Sequence, residues 1–366
     1  MNEGYETVDP VSMPTRRPPV PPDAVPLEIA GSVELPHDNG GHWALTTLIP
    51  GRNAFVAQYW PFEIPMPAPD FQIRLALFDV TTGSLTEFAV LAPGAATPGI
   101  VSDGRFIVWT EGVRGSLNPR GWKMFAFDLE TNEKWEIARD SEVEFSRPGV
   151  QLATVPYLSA QSGRLAYSLL TADASGQPVY ELRIVELESR TSTTILGPLN
   201  SRDFSIYGPS LYGDNIVWTL SVWQENEVKV RALWKMHLPN GQPEVLESGW
   251  VGFQPVLNRE NVVYWLYTGQ QDEGVINVMN IETRKKTQLW EYDSALFPEI
   301  SGRFVYWIVP NNGTGVLVNA ASGGKMKFGG PHVLQVAIED GRIYWSWGSG
   351  ETDSPQYLQW ADLPEH

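Results

Sequence analysis

One short pattern occurs seven times along the chain, and this repetition constrains the fold more than any other feature. Each copy begins with a tight turn, usually Gly-Arg or a close equivalent, and continues into aromatic and β-branched residues, as in Asp103-Gly-Arg-Phe-Ile-Val-Trp109. The turns fall at residues 51, 104, 163, 214, 260, 302 and 341, about 48 residues apart on average. Repeats of roughly 40 to 50 residues with such strand content are typical of propeller blades.

Each repeat contains the elements of four strands. A Pro-x-apolar segment before most turns, such as Pro98-Gly-Ile100, predicts a first strand, because proline is tolerated where a strand begins. The run after the turn is the second strand. Alternating segments such as Ala126-Phe-Asp-Leu-Glu-Thr131 and Glu133-Lys-Trp-Glu-Ile-Ala138 predict a third and a fourth strand joined by a hairpin. We therefore predict an all-β, seven-bladed propeller of four-stranded blades.

The last repeat ends before it can supply a fourth strand, since only Leu363-Pro-Glu-His366 follows Asp362. The segment 27–35 precedes the first repeat and has strand character. We expect it to complete the seventh blade, which closes the ring and protects the edges that an open array would expose. The predicted domain is therefore 27–366.

Residues 1–26 differ from the rest because they contain seven prolines. They predict a polyproline or disordered spacer, with a PxxP ligand for an aromatic groove as the alternative. The first residues lack a basic flank and an apolar core, so they are not a signal peptide. We expect an extracellular, periplasmic or cell-surface protein if a leader was removed, and a cytoplasmic one otherwise.

The repeat Pro-x-Φ-x-Gly-Arg-Φ-Φ-Φ-Trp, followed by Φ-x-Asp-Φ-x-Thr-Gly, resembles the repeats of TolB-like propellers, where Φ is an apolar residue. It is also similar to the propeller domains of prolyl-oligopeptidase relatives, and the resemblance covers 27–366. Three features depart from these families. The Ser-Pro-Asp-Gly turn is not intact, TolB has six blades, and no α/β-hydrolase domain follows. The resemblance therefore implies the fold, and we expect no peptidase activity.

Eight of the 15 tryptophans form two groups. The first group, at equivalent second-strand positions, is expected to pack between adjacent blades: Trp109, Trp218, Trp265, Trp307 and Trp345. The second group lies outside the repeat positions and is left open for contact with a ligand or partner: Trp122, Trp223 and Trp250.

The composition excludes several functional classes. A formal net charge of −17 repels phosphate backbones and anionic membrane surfaces, so nucleic-acid binding is not expected. No run of 18 apolar residues occurs, so no direct membrane span is expected. The chain has no cysteine and five histidines, with no nucleophile elbow, Walker loop or dinucleotide fingerprint. We predict no catalytic residues, no metal and no cofactor.

Long loops indicate where binding takes place. Connections between blades and loops between second and third strands lie on one face of a propeller, and long loops on a rigid face commonly carry function. The candidate loops are 61–71, 111–122 and 171–178, with 139–148 and 200–208 between blades. They lie on blades 1 to 4 and offer residue types favoured at interfaces: Phe62, Met66, Phe71, Arg114, Arg120 and Trp122.

Two functions remain open at this point. The first is a non-catalytic scaffold that binds another protein or peptide, including in a membrane-anchored or surface complex. The alternative is a carbohydrate-active enzyme, a glycoside hydrolase or polysaccharide lyase, with paired carboxylates at the channel mouth. The acids available in or near the loops of this face are Glu111, Asp173, Glu225, Asp272 and Glu273.

Overall fold

The computed structural model describes residues 20–38, 41–61, 72–113, 121–140, 155–225, 227–268, 273–292, 297–309, 313–330, 333–348 and 356–364. These residues form strands, with no helix that could cross a membrane. The strands assemble into seven sheets arranged as blades in a ring. The predicted seven-bladed propeller of four-stranded blades is therefore confirmed.

The strands of the first three blades, given from the ring axis outward, are β4 (Gly41–Ile49), β5 (Ala54–Pro61), β6 (Arg74–Asp79) and β7 (Leu85–Val90); β9 (Ile100–Ser102), β10 (Phe106–Val113), β11 (Lys123–Asp128) and β12 (Glu133–Arg139); and β13 (Leu158–Gln161), β14 (Arg164–Ala172), β15 (Pro178–Glu186) and β16 (Thr191–Asn200). Two short strands add to the first two blades: β3 (His37–Asp38), which pairs with β4, and β8 (Ala95–Ala96), which pairs with β10.

The next three blades consist of β17 (Phe204–Tyr212), β18 (Asn215–Gln224), β19 (Glu227–His237) and β20 (Glu244–Glu247); β21 (Val256–Leu257), β22 (Asn261–Tyr267), β23 (Gly274–Asn280) and β24 (Lys286–Tyr292); and β25 (Glu299–Ser301), β26 (Phe304–Ile308), β27 (Gly315–Asn319) and β28 (Lys325–Phe328). Blade 7 consists of β29 (Val333–Glu339), β30 (Arg342–Trp347), β31 (Tyr357–Asp362) and β2 (Gly31–Glu34).

The N-terminal strand β2 closes the ring as the sequence predicts. It pairs antiparallel with β31 from Gly31 opposite Trp360 to Glu34 opposite Tyr357. Leu35, directly after β2, is fully buried in the core between blades 7 and 1. The two ends of the domain therefore complete the same sheet.

The structure describes residues 20–26 of the segment predicted as a spacer. Residues 20–26 already contact the ring: β1 (Val25–Pro26) pairs in parallel with β28 at the outer edge of blade 6. Asp23 also forms an ion pair with Lys325 at 2.9 Å. The sequence does not reveal this attachment because two paired residues are too few to show a strand pattern, and their prolines suit an edge strand as well as a spacer.

The repeated tryptophans pack between blades. Trp109, Trp218, Trp307 and Trp345 are buried in clusters shared with the preceding blade. This confirms their predicted role in the core.

Trp265 is also buried, but its predicted equivalence to the other four is wrong. It pairs with Ile276, four residues before Asn280, whereas Trp109 pairs with Phe125, three residues before Asp128. A shift of one residue turns a strand side chain to the other face of its sheet. Trp265 therefore packs towards the following blade, blade 6.

Candidate functional site

The upper face of the ring, as defined here, carries the connections between blades and the loops between second and third strands. The first strands of all seven blades line a central cavity of about 500 Å³. Its wall is rich in hydroxyl and amide groups, which include Thr46, Ser102, Ser159, Ser210, Gln254 and Gln335. The cavity is therefore polar, in contrast to the apolar contacts between blades.

Glu299 of blade 6 is the single carboxylate among the described residues that line this cavity. Its residue is exposed to the cavity. The hydroxyl of Tyr306 donates a hydrogen bond to it. Desolvation raises the pKa of Glu299, and the bond from Tyr306 partly opposes that rise. The described part of the cavity therefore does not supply the carboxylate pair that a glycosidase needs.

A row of aromatic rings leads outward from the cavity on blades 3 to 5. Tyr157 lines the cavity, and its ring centroid lies 6.0 Å from that of Tyr207. The rings of Tyr207 and Phe253 are 4.9 Å apart. The guanidinium carbon of Arg231 lies 3.7 Å from the centroid of Phe253. The row therefore ends on a cation.

Arg231 is held in β19 by the connection that leads into blade 5. Its backbone N–H donates to Gly249 and its carbonyl accepts from Val251, so the segment 249–251 crosses over the strand. The residue is only 7% exposed as a result. Its Nε–H donates to Ser221 Oγ at 3.2 Å and an Nη1–H donates to the Val251 carbonyl at 3.4 Å.

The surroundings of Arg231 are aromatic and uncharged among the described residues. Trp250 lies over the guanidinium at 5.8 Å, and the side chain of Tyr267 hydrogen-bonds to it. Desolvation lowers the pKa of Arg231, although an arginine stays charged at neutral pH. We refer to Arg231, Tyr157, Tyr207, Phe253 and Tyr267 as the Arg231 site.

Three large apolar side chains are exposed where the chain enters blades 5, 6 and 7. Trp250 is 46% exposed, Phe297 is 62% exposed and Leu334 is 54% exposed. Each lies in the connection before a first strand or at the start of that strand, so all three are on the upper face. We call these three residues the mouth surface.

Five of the predicted partner-binding residues lie outside the described residues: Phe62, Met66, Phe71, Arg114 and Arg120. The sixth, Trp122, has no exposed surface and packs with Phe106, Met124 and Tyr167 between blades 2 and 3. Its predicted contact with a partner therefore needs correction, because its ring is part of the core. It directly precedes β11, and the side chain points into the sheet interface.

The other two tryptophans outside the repeat positions differ in exposure. Trp223 is partly buried and its Nε1–H donates to Ser205 Oγ at 3.0 Å. Trp250 belongs to the mouth surface. The sequence therefore identifies one surface tryptophan among its three candidates.

Two predicted long loops are short. Strands β14 and β15 remain paired up to Ala172 opposite Pro178, and Asp173 closes the hairpin by accepting bonds from Ser175 and Gln177. The connection predicted at 200–208 consists mainly of β17, which begins at Phe204. Both segments contain polar residues or glycine, so the sequence predicted loops. In the structure the strands continue through them.

The four candidate acids that the structure describes have separate roles or lie exposed, and none is seen paired with another. Glu111 is buried beside Trp109, whose Nε1–H donates to it at 3.0 Å, and Lys134 approaches it at 3.3 Å. Asp173 caps its hairpin, Glu225 and Glu273 are exposed, and Asp272 lies outside the described residues. No group of three or more metal-ligating His, Asp or Glu side chains occurs in the part of the chain that the structure describes.

The comparison with solved structures shows the fold. An oligogalacturonate lyase in complex with manganese matches with a TM-score of 0.57 at 15% identity, covering 93% of this chain and 97% of that chain. An acylaminoacyl peptidase in complex with a chloromethyl ketone matches with a TM-score of 0.59 at 11% identity, covering 89% and 52%. This chain thus spans about half of the peptidase.

TolB from Acinetobacter baumannii is also matched, with a TM-score of 0.43 at 13% identity, covering 80% of this chain and 77% of that chain. The matches with TM-scores above 0.5, to the lyase and the peptidase, confirm the resemblance to this kind of propeller at the level of fold. No protein-family model matches the sequence, and neither does any curated protein.

Proposed function

We propose that this protein is a non-catalytic propeller that binds a protein partner through its upper face. The observation that carries the proposal is the mouth surface, where Trp250, Phe297 and Leu334 are exposed around the channel mouth. Exposed apolar groups on one face mark interaction sites, and tryptophan and arginine are enriched among residues that dominate binding. Trp250 is bridged to Arg231 of β19 and Leu334 lies in β29, so little conformational entropy is lost when these two residues bind.

The proposal keeps the predicted loops of blades 1 to 4 as a second part of the same face. Phe62, Met66, Phe71, Arg114 and Arg120 belong to those loops. Blade 1 adjoins blade 7 in the closed ring, and blade 2 adjoins blade 1. A partner seated on the mouth surface can therefore contact these loops as well. Trp122 is left out because it is buried.

The test is capture of a partner from the native source by tagged full-length protein. Trp250→Ala and Phe297→Ala should each reduce the captured amount at least tenfold while the melting temperature stays within about 2 °C, because both side chains are exposed. Tyr212→Ala is the matched control: Tyr212 is 37% exposed and lies beside the Gly213 turn on the opposite face. Equal capture by all three variants would refute the proposal.

A carbohydrate-active enzyme remains the second candidate. It is favoured by the tyrosines and the arginine at the channel mouth, a combination that suits an acidic sugar, and by the shared fold with an oligogalacturonate lyase. A lyase removes the proton on the carbon next to the carboxylate and breaks the bond from the following carbon to the glycosidic oxygen. That oxygen leaves and takes up a proton, and a double bond conjugated with the carboxylate remains. Incubation with oligogalacturonate, with and without manganese, should then produce an ultraviolet absorbance that the Arg231→Met variant does not produce.

The proposal includes a location outside the cytoplasm, in the periplasm or at the cell surface, as part of a surface complex. Fractionation of the native source with an antibody against residues 27–366 tests this. Recovery in the cytoplasmic fraction would contradict it.

A further inference from the structure

Arg231 is an exception among the buried cations of the described residues. Lys235, whose side chain is 8% exposed, pairs with Glu282 at 2.7 Å. The partly buried Arg74 and Arg183 pair with Glu87 and Glu181, each at 2.6 Å. Arg231 is as buried as Lys235, yet its described partners are a hydroxyl, a carbonyl, a phenol and aromatic rings.

A buried charge is costly unless an opposite charge and hydrogen bonds compensate it. Stacking on Phe253 and bonds to Ser221 and Val251 compensate only part of that cost. A chain with a net charge of −17 has many carboxylates, and those in the described residues are not used here. A compensating negative charge from outside the described residues would therefore complete the site.

The geometry of the guanidinium suits such a compensation. It has five N–H donors, of which Ser221 and Val251 engage two and Tyr267 engages a third. Within the described residues two donors remain, and a bidentate carboxylate uses two. The Arg231 site also adjoins Tyr157 in the cavity wall and the half-exposed Trp250, so the bound group can enter from the mouth surface.

We infer that Arg231 binds a carboxylate of the partner, either an acidic side chain or the chain terminus, presented among apolar residues that cover the mouth surface. This inference rests on the proposed function. The net charge of −17 repels an acidic run, which favours a single carboxylate with apolar neighbours. Trp250, stacked on Arg231 at 5.8 Å, would shield the pair from water once the partner is seated.

The probes are three matched peptide libraries with randomised apolar residues. The first has a central Glu and an amidated end, the second a central Gln and an amidated end, and the third a central Gln and a free terminal carboxylate. We expect full-length protein to bind the first or the third at least tenfold more tightly than the second, and the preferred library identifies the source of the carboxylate. Equal binding of the three, binding of none, or binding of oligogalacturonate alone would overturn the inference.

Two variants separate this site from general effects on stability. Arg231→Met should abolish the preference for a carboxylate, and its melting temperature should be unchanged or higher, because an apolar side chain replaces a buried cation. Arg74→Met is the matched control, since Arg74 also stacks on an aromatic ring, that of Tyr59 at 3.9 Å, but has Glu87 as its partner. This control should keep the preference.

The outcomes distinguish the two proposals. A preference that survives in Arg231→Met, together with a melting temperature several degrees lower, would show that a carboxylate of this chain occupies the site and would overturn the inference. Partner capture that still depends on Trp250 and Phe297 would then leave the proposed function standing. Capture that is independent of both would refute the proposed function.

Discussion

The Oε1 atom of Glu339 in blade 7 accepts a hydrogen bond from the backbone N–H of Gly51 in blade 1 at 2.6 Å. The same relationship recurs around the face opposite the upper face: Asp103 and Gln161 accept from Gly163 and Gly213, each at 2.6 Å. In each case the residue just before one turn bonds to the glycine in the turn of the next blade. These bonds link the turns of neighbouring blades on the face opposite the upper face.

The seam between blades 7 and 1 gives a prediction about pH. Desolvation raises the pKa of Glu339, and the bond from Gly51 partly offsets the rise. A raised carboxyl pKa means that ionisation of Glu339 destabilises the folded state. This loss of stability is absent below the unfolded pKa of about 4.3 and is complete once the pH has risen through the folded pKa. Glu339→Gln should therefore be at least as stable as the wild type at pH 7 and equal to it at pH 3.

Glu339→Ala is the comparison variant, since it removes the acceptor for Gly51 and should cost about 1 kcal/mol. Thermal unfolding across pH 3 to 8 measures both variants. A greater loss of stability in Glu339→Gln than in Glu339→Ala would contradict the role given to Glu339 between blades 7 and 1.

Asp128 predicts the opposite dependence on pH. Its carboxylate pairs with Arg105 at 2.8 Å and accepts from the Glu130 N–H at 2.8 Å. Arg105 is the main cause that lowers the pKa of Asp128 to about 2. A lowered carboxyl pKa stabilises the folded state above the unfolded pKa, and this stability is lost as the pH falls towards 2.

Asp128→Asn should therefore lower the free energy of unfolding by about 1 to 2 kcal/mol at pH 7 and by little near pH 2. The value at pH 7 is modest because Arg105 is partly exposed to solvent, which screens the ion pair. Asp79→Asn is the control, since Asp79 caps the equivalent hairpin by accepting from Thr81 and Thr82. Denaturant unfolding at several pH values checks this. An Asp128→Asn effect that does not change between pH 7 and pH 2 would refute the role of the Arg105 pair.

The N-terminal segment predicts a graded response to truncation. Removing residues 1–25 should leave the ring intact and lower the melting temperature by a few degrees, because it removes the Asp23 pair with Lys325 and half of β1. Removing residues 1–36 also deletes β2 and exposes the edge of β31. We expect aggregation or loss of cooperative unfolding in that variant. A soluble and equally stable product lacking 1–36 would contradict closure by β2.

Trp122 and Trp250 should respond differently to the same change. Trp122→Ala should destabilise the protein by about 3 to 5 kcal/mol, because it opens a cavity in a packed core. Trp250→Ala should change stability by less than about 0.5 kcal/mol, since its ring is half exposed. Chemical denaturation of both variants makes the comparison. Similar losses of unfolding free energy in the two variants would mean that the Trp250 ring is buried in solution.

The repeat pattern was sufficient to predict the blades and the closing strand, because each blade has the same alternation and the same turn. The register of Trp265 was not predictable in this way, since a shift of one residue leaves the apolar run unchanged while it reverses the side chains. Trp122 shares its residue type with interface tryptophans, and only its position against Tyr167 shows that it is buried.

Arg231 was missed for a physical reason. It falls in step with Glu227 and Lys229 along β19, so alternation assigns it to the solvent side. The segment 249–251 buries it by crossing over the strand, a contact between distant positions that periodicity does not contain. The local sequence signal for a buried Arg231 is a single cation between two apolar residues, Val230 and Ala232, near the middle of β19.

The most direct test of binding at the upper face is hydrogen exchange of the full-length protein, alone and with the partner captured from its native source. We predict slowed exchange in 248–255, 297–301 and 333–336, with no change at the turns near Gly51, Gly213 and Gly341. Protection of those turns, with unchanged exchange in the connections of the upper face, would contradict the account.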